Sequence, residues 1–73
     1  MSTAAFVAGE VRAAIARKQT TVVALAQEIG MSRQTLHRRL NATEPFNVDE
    51  LARISRALDV SYESFWPKGD DAA

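Results

Sequence analysis

Between Ser32 and Leu40 the chain carries a short run of side chains that can form paired hydrogen bonds with planar groups. Arginine can donate two hydrogen bonds to O6 and N7 of guanine, glutamine can pair with N6 and N7 of adenine, and threonine can contact the thymine methyl group. The candidates for such contacts are Arg33, Gln34, Thr35, His37 and Arg38. These residue types, close together in one segment, suit the base edges of DNA, but on their own they are equally consistent with a solvated helix face.

Residues that commonly build metal or catalytic sites are scarce. The chain contains no cysteine and a single histidine, His37, so a metal site made of thiolates or of several imidazoles is excluded. Ser32 and His37 are near each other in sequence, but no carboxylate is placed to orient the imidazole, as a catalytic triad would require. We therefore expect no enzymatic activity, no cofactor, no metal and no small-molecule ligand.

Basic and acidic residues are segregated along the chain, although the formal net charge is zero. Residues 12–40 contain six basic residues and one acidic residue, Glu28, whereas residues 41–73 contain three basic and seven acidic residues. A domain with this polarity can present its basic face to phosphate and keep its acidic face away. The alternative is an ordinary mixed surface, and the charge pattern alone does not decide between the two.

The spacing of apolar residues predicts an all-α domain with five helices. The first is expected at about residues 4–17, the second at about 22–29 after a threonine cap, and the third from the cap Ser32 to about residue 40. Asn47 and Glu50 form a predicted capping box that opens the fourth helix, and Ser61 caps a short fifth. Gly9 interrupts the first helix, which suggests that another helix passes close to it. Residues 1–67 are expected to form the domain and residues 68–73 a flexible tail.

The second and third predicted helices are joined by Gly30-Met31-Ser32, a three-residue turn that contains glycine. This connection is typical of a helix-turn-helix, which would occupy about residues 21–40. Ala26 is predicted to lie where the two helices cross, since a larger side chain would force them apart. Gly30 can adopt the left-handed conformation that ends the second helix without a Cβ penalty.

Five residues carry a family resemblance, namely Ala26, Gly30, Met31, Ser32 and Leu36. Together they resemble the lambda-repressor/Cro-like helix-turn-helix domains, often called the XRE family. The resemblance extends to a fourth helix with apolar residues at 51, 54 and 58, and to the pair Val60-Ser61 before a short fifth helix. It implies a five-helix lambda-repressor-like bundle over most of the chain.

The resemblance also implies how the domain would contact DNA. Residues at the start of the third helix would contact base edges, namely Arg33, Gln34 and His37, with Thr35 or Arg38 in addition. Residues flanking the two helices would contact phosphate: Thr21, Ser32, Arg39, Asn41 and Thr43. The chain departs from the family pattern at two positions. Val22 stands where glutamine is frequent, and Arg39 stands where an apolar residue is common, so we expect Leu40 to take over the packing and leave Arg39 free for phosphate.

Two large apolar residues, Phe65 and Trp66, fall on the short terminal helix. They can close the core against the first helix, or they can form a two-fold contact between copies, as related repressors do with the same element. We expect one ring to close the core and the other to be partly exposed, and we assign both residues to a candidate dimer interface. A homodimer is expected at least on DNA.

The combined features predict a sequence-specific double-stranded DNA-binding transcriptional regulator, most simply a Cro-like phage or bacterial repressor that acts by occluding its operator. The alternative is a protein-interaction module on the same fold, either antitoxin-like or docking a partner protein, which zero net charge and Val22 favour. No apolar run approaches the roughly 20 residues of a membrane span. The N-terminus lacks the basic and apolar regions of a secretory signal. We therefore expect a cytoplasmic, nucleoid-associated protein.

Overall fold

Residues 2–67 are described by a computed structural model of the chain, and they contain four α-helices, one 3-10 helix and no β-strand. The elements are α1 (Thr3–Arg17), α2 (Val22–Ile29), α3 (Arg33–Leu40), α4 (Val48–Leu58) and a 3-10 helix (Tyr62–Phe65). The predicted all-α fold is confirmed. The predicted fifth helix is one turn of 3-10 helix, so residues 2–67 contain four α-helices and not five. The predicted tail, residues 68–73, lies outside the described residues.

A polar side chain caps the N-terminus of each α-helix. The oxygens of Ser2, Thr21, Ser32 and Asn47 accept a hydrogen bond from the backbone N–H three residues later. At α4 the capping box is complete, because the carboxylate of Glu50 also accepts from the N–H of Asn47 at 2.9 Å. Each such cap stabilises its helix by about 1 kcal/mol, which matters most for α2 and α3, at 8 residues each.

Each α-helix is followed by a residue in the left-handed region, with φ between 56° and 73°. These residues are Gln19, Gly30, Ala42 and Asp59. After α3 the N–H of Thr43 donates to the carbonyl of Arg38, and the N–H of Ala42 to that of Arg39, as in a Schellman motif. Three of the four ends therefore place a side chain in a conformation that costs about 1 kcal/mol relative to glycine.

A single core cluster joins all five elements. α2 packs against α3 and α4, while α1 packs against α3 and the 3-10 helix. Its most deeply buried large side chains come from every element: Val11, Leu25, Leu36, Leu51, Ile54 and Phe65. Because Leu36 and Leu40 are the buried residues of α3, this helix is anchored along one side and exposed along the other.

Gly9 does not mark a close approach between helices, contrary to the expectation from sequence. A Cβ built on Gly9 would have one neighbour within 4 Å, the guanidinium of Arg12 at 3.7 Å. The position is therefore open, and glycine there only lowers the helix propensity of α1. None of the helices between residues 2 and 67 is long and apolar enough to cross a membrane.

Candidate nucleic-acid interface

The exposed side of α3 carries most of the residues predicted to contact bases. Arg33, Gln34, His37 and Arg38 are exposed, and Thr35 is partly buried at the helix margin. Gly30 has φ 73° and ends α2, and the extended conformation of Ser32 then starts α3. The short turn thus fixes α3 against α2 while its polar side remains open to a partner.

A chain of hydrogen bonds runs along one edge of α3. The hydroxyl of Ser32 donates to Oγ1 of Thr35 at 2.8 Å, and Nη2 of Arg38 donates to the same oxygen at 3.2 Å. These bonds direct Arg38 along the helix axis in the free protein. By contrast, Arg33, Gln34 and His37 have no hydrogen-bond partner for their side chains among residues 2–67.

Arg39 forms a bidentate ion pair with Glu50, and this pair links α3 to the start of α4. Its Nε and Nη2 donate to the two carboxylate oxygens of Glu50, each at 3.1 Å. The Arg39 side chain is 17% exposed and that of Glu50 is 7% exposed. Glu50 also belongs to the capping box, so one carboxylate holds both α3 and the first turn of α4.

The ion pair shifts the pKa of both groups away from their ordinary values. The hydrogen bond to Glu50 raises the pKa of Arg39, and partial desolvation opposes this rise. Burial by itself would raise the pKa of Glu50. Hydrogen bonds from Arg39 and from the N–H of Asn47 outweigh this burial, so the pKa of Glu50 is lowered. Both charges are therefore retained at neutral pH.

The sequence predicted that Arg39 is free to contact phosphate. In the structure, however, its guanidinium is bonded to carboxylates. Besides Glu50, Arg39 contacts Oε1 of Glu44 through Nη1. The same oxygen of Glu44 lies 3.5 Å from Nε of Arg38. A signal for this network was present in the sequence, because an arginine at a usually apolar position needs a nearby acidic partner. Phosphate contact by Arg39 stays a prediction.

The residues predicted to contact phosphate lie at the ends of α2 and α3. Thr21, Ser32, Asn41 and Thr43 are all exposed. Oγ1 of Thr21 accepts from the N–H of Ala24 at 3.0 Å, which leaves the hydroxyl hydrogen available to a phosphate oxygen. Thr21 and Asn41 line one open cleft of about 510 Å³ together with His37, so the structure brings the start of α2 and the end of α3 together.

Sequence reasoning missed a contact between α1 and the C-terminus of α3. Nη1 of Arg12 donates to the backbone carbonyl of Leu40. A cation at this position satisfies a free carbonyl and interacts favourably with the negative end of the helix dipole. The three elements α1, α2 and α4 therefore all fix the position of α3.

The two aromatic residues assigned to a dimer contact differ in exposure. Phe65 is 1% exposed and belongs to the core, whereas Trp66 is partly buried against it. The Trp66 ring packs on Tyr62 with centroids 6.0 Å apart, and its indole N–H has no partner. Any contact with a second copy would therefore use the exposed part of Trp66 more than Phe65, and the dimer stays a prediction.

Comparison with known families decides the general class. A family model described as winged helix-turn-helix DNA-binding matches residues 7–69, which is most of the chain. The chain belongs to the winged helix-turn-helix DNA-binding family. No curated protein and no solved structure matches the chain. This winged helix-turn-helix chain has no strand between residues 2 and 67, so the loop between α3 and α4 carries no β-wing.

Within this winged helix-turn-helix domain, the described residues do not group into a metal site. No three His, Asp or Glu side chains of residues 2–67 lie close enough together to hold an ion. The polar side of α3 is thus a surface suited to hydrogen bonding and charge pairing, which are the interactions that recognition of DNA uses.

Proposed function

We propose that this DNA-binding domain is a sequence-specific transcriptional regulator that places α3 in the major groove. The observation that carries the proposal is the exposed side of α3. Arg33, Gln34 and His37 stand there without hydrogen-bond partners among the described residues, and α3 contains no acidic residue. Side-chain donors on one side of a well-anchored helix suit base edges when they have no partner within the protein. They can then bond to a base without breaking a hydrogen bond of the fold.

Arg33 and Gln34 are the residues we assign to base readout. Both belong to the first turn of α3, the part of a recognition helix that enters the groove most deeply. Arginine suits guanine and glutamine suits adenine in bidentate geometry. His37 and Arg38 lie one turn later, and Thr35 is held between Ser32 and Arg38 by hydrogen bonds. We assign His37 and Thr35 to supporting contacts near the same bases, and Arg38 to a base or phosphate contact beside them.

Thr21, Ser32, Asn41 and Thr43 are the residues we assign to phosphate contacts. They flank α2 and α3 and are exposed, and Thr21 and Ser32 stand at helix N-termini, where free N–H groups favour anions. Nε and Nη2 of Arg39 are bonded to Glu50, and Nη1 is bonded to Glu44. We therefore propose that Arg39 positions α3 in DNA binding, and its phosphate contact stays a prediction.

The finer proposal is a compact, Cro-like repressor of the lambda-repressor type that acts by occluding its operator. The Gly30 turn, the capping box of α4 and the C-terminal 3-10 helix support this arrangement. One recognition helix reads too few base pairs to select a promoter among the roughly 10⁶ or more sites of a genome. We therefore propose that two copies bind a palindromic site, with Trp66 at the contact between them.

The test is a selection of bound sequences from a random duplex library, followed by affinity measurements on the selected site. Gln34→Ala should lower affinity for that site by about 1–3 kcal/mol and relax the preference at one base pair. Gln27→Ala is the matched control, since Gln27 is an exposed glutamine of α2 outside the proposed reading surface. The free energy of unfolding of both variants should lie within about 0.5 kcal/mol of the wild-type value. Selection of the same sites by the Gln34→Ala variant would contradict the assignment.

A protein-interaction module on the same fold is the second candidate, and one observation favours it. The cleft of about 510 Å³ beside α3 has an apolar wall that includes Ile15, Val22 and Leu40. Salt separates the two functions. DNA binding through several phosphates should weaken by about 10³-fold or more between 50 and 200 mM salt. Docking of an apolar protein segment should change little over the same range.

A further inference from the structure

Two consecutive arginines of α3 share a single carboxylate oxygen. Nε of Arg38 lies 3.5 Å from Oε1 of Glu44, and Nη1 of Arg39 contacts the same atom. The side chains of Arg38 and Glu44 are 48% and 50% exposed, so this pair is open to solvent and to incoming ions. Glu44 belongs to the loop that follows α3 and lies beside residues assigned to phosphate.

Arg39 keeps Glu44 in place. Its guanidinium is bonded through Nε and Nη2 to the buried carboxylate of Glu50, which is itself fixed by the capping box of α4. The remaining nitrogen, Nη1, contacts Glu44. Because Arg39 is held by the fold, Glu44 has a fixed cation beside it and is retained at the end of α3.

Arg38 is the member of this cluster that is free to exchange partners. It has no buried carboxylate of its own, and its bonds within the described residues are the long contact to Glu44 and the bond to Thr35. A phosphate offers a guanidinium the same charge and the same paired acceptor geometry as a carboxylate. Arg38 can therefore bind either a phosphate or Glu44.

We propose that Glu44 is an intramolecular competitor of DNA phosphate for Arg38, and that it lowers the affinity of this surface for DNA of any sequence. The proposal rests on the DNA-binding function proposed above. Arg33 and Gln34, in the first turn of α3, have no acidic partner among residues 2–67. Glu44 therefore acts on the phosphate contribution to binding and leaves the preference for particular bases to the first turn.

The test compares E44Q with E63Q on a random-sequence duplex of about 20 base pairs, long enough for two half-sites. Both variants remove one exposed negative charge, but Glu63 belongs to the 3-10 helix and bonds to Ser61 and not to an arginine. E44Q should bind about threefold more tightly at 50 mM salt, the effect of releasing Arg38 from one exposed and screened ion pair. Its salt slope should steepen by about 0.9, the value for one added phosphate contact. E63Q should match wild type in both.

A double-mutant comparison identifies Arg38 as the cation concerned. In an R38Q background, adding E44Q should change the DNA affinity and the salt slope no more than adding E63Q does. Thermal melting of all variants checks that the fold is retained, as expected for residues that are half exposed. The proposal is overturned if the DNA affinity of E44Q equals that of wild type, or if E44Q and E63Q raise the affinity equally. It is also overturned if E44Q still raises the affinity in the R38Q background.

Failure of the proposed function is recognisable separately. Wild type and E63Q both retain Glu44, so they report whether this surface binds duplex DNA at all. If neither binds at 50 mM salt, DNA binding is contradicted and the competitor role falls with it. If both bind and E44Q behaves as they do, DNA binding stands and only the role of Glu44 is refuted.

Discussion

Replacing Glu50 by glutamine should destabilise the domain and remove part of its pH dependence. Glutamine keeps an oxygen that can accept from the N–H of Asn47, so the change removes mainly the charge that faces Arg39. Removing one partner of a buried ion pair costs about 3–5 kcal/mol, because the other charge is left without compensation. Arg39 keeps 17% exposure and a contact with Glu44, so its charge is partly solvated. We therefore expect a smaller loss, about 2 kcal/mol in the free energy of unfolding.

The pH dependence follows from the lowered pKa of Glu50. A carboxyl group with a lower pKa in the folded state binds fewer protons there than in the unfolded chain, so folding is favoured as the pH rises. The contribution is complete above the unfolded-state pKa of about 4.3. It is lost as the pH falls through the lower folded-state value. Wild type should thus lose more stability than E50Q when the pH is lowered from about 6 to about 3.

Urea denaturation followed by circular dichroism at both pH values measures this difference, and R39M with R39M/E50Q completes a double-mutant cycle. The coupling energy should be about 1–3 kcal/mol at neutral pH and should shrink at low pH. D49N is a suitable control because Asp49 is an exposed acid in the same turn of α4. If E50Q and wild type lose stability in parallel as the pH falls, or if the coupling is below about 0.5 kcal/mol, the ion pair is not the cause.

Three further predictions concern helix α1, the turn and the dimer. Gly9→Ala should stabilise the domain by about 0.8 kcal/mol in thermal denaturation, because the Cβ enters open space within α1; a loss of stability would contradict the open position. Gly30→Val should cost about 1–3 kcal/mol through its φ of 73° alone, since no atom lies within 4 Å of the added Cβ, and an unchanged melting temperature would refute the turn. Trp66→Ala should reduce cooperative binding to a palindromic duplex more than half-site affinity in sedimentation, and one chain per palindrome in wild type would contradict a dimer.

Local signals in the sequence were enough to predict where the α-helices start. Asn47 and Glu50 stand three residues apart, and the bonds of a capping box depend on that spacing alone. Ser32 was predicted as the cap of α3, a threonine (Thr20 or Thr21) as the cap of α2, and Gly30 as the left-handed end of α2. Each of these features is decided within one helical turn, so the sequence around it contains the necessary information.

Contacts between distant parts of the chain were not predictable in the same way. The pairing of Arg39 with Glu50 depends on how α3 meets α4, and the bond from Arg12 to the carbonyl of Leu40 depends on how α1 crosses the end of α3. Each pair joins two different helices, so no spacing within one helix predicts it. The burial of Leu40 was predicted, but the partly buried position of Arg39 followed only from the packed structure.

The anchoring of α3 has a consequence for how such a domain can diversify. Ser32 holds its start, Arg12 its last carbonyl, and Arg39 its junction with α4, whereas the side chains of Arg33 and Gln34 form no hydrogen bond among residues 2–67. Substitutions at the outer positions therefore leave stability almost unchanged. Under the proposed function, mutation can exchange one set of reading side chains for another without first acquiring a compensating change elsewhere. A lineage built on this framework would then change its target site in single steps, each of them a folded protein.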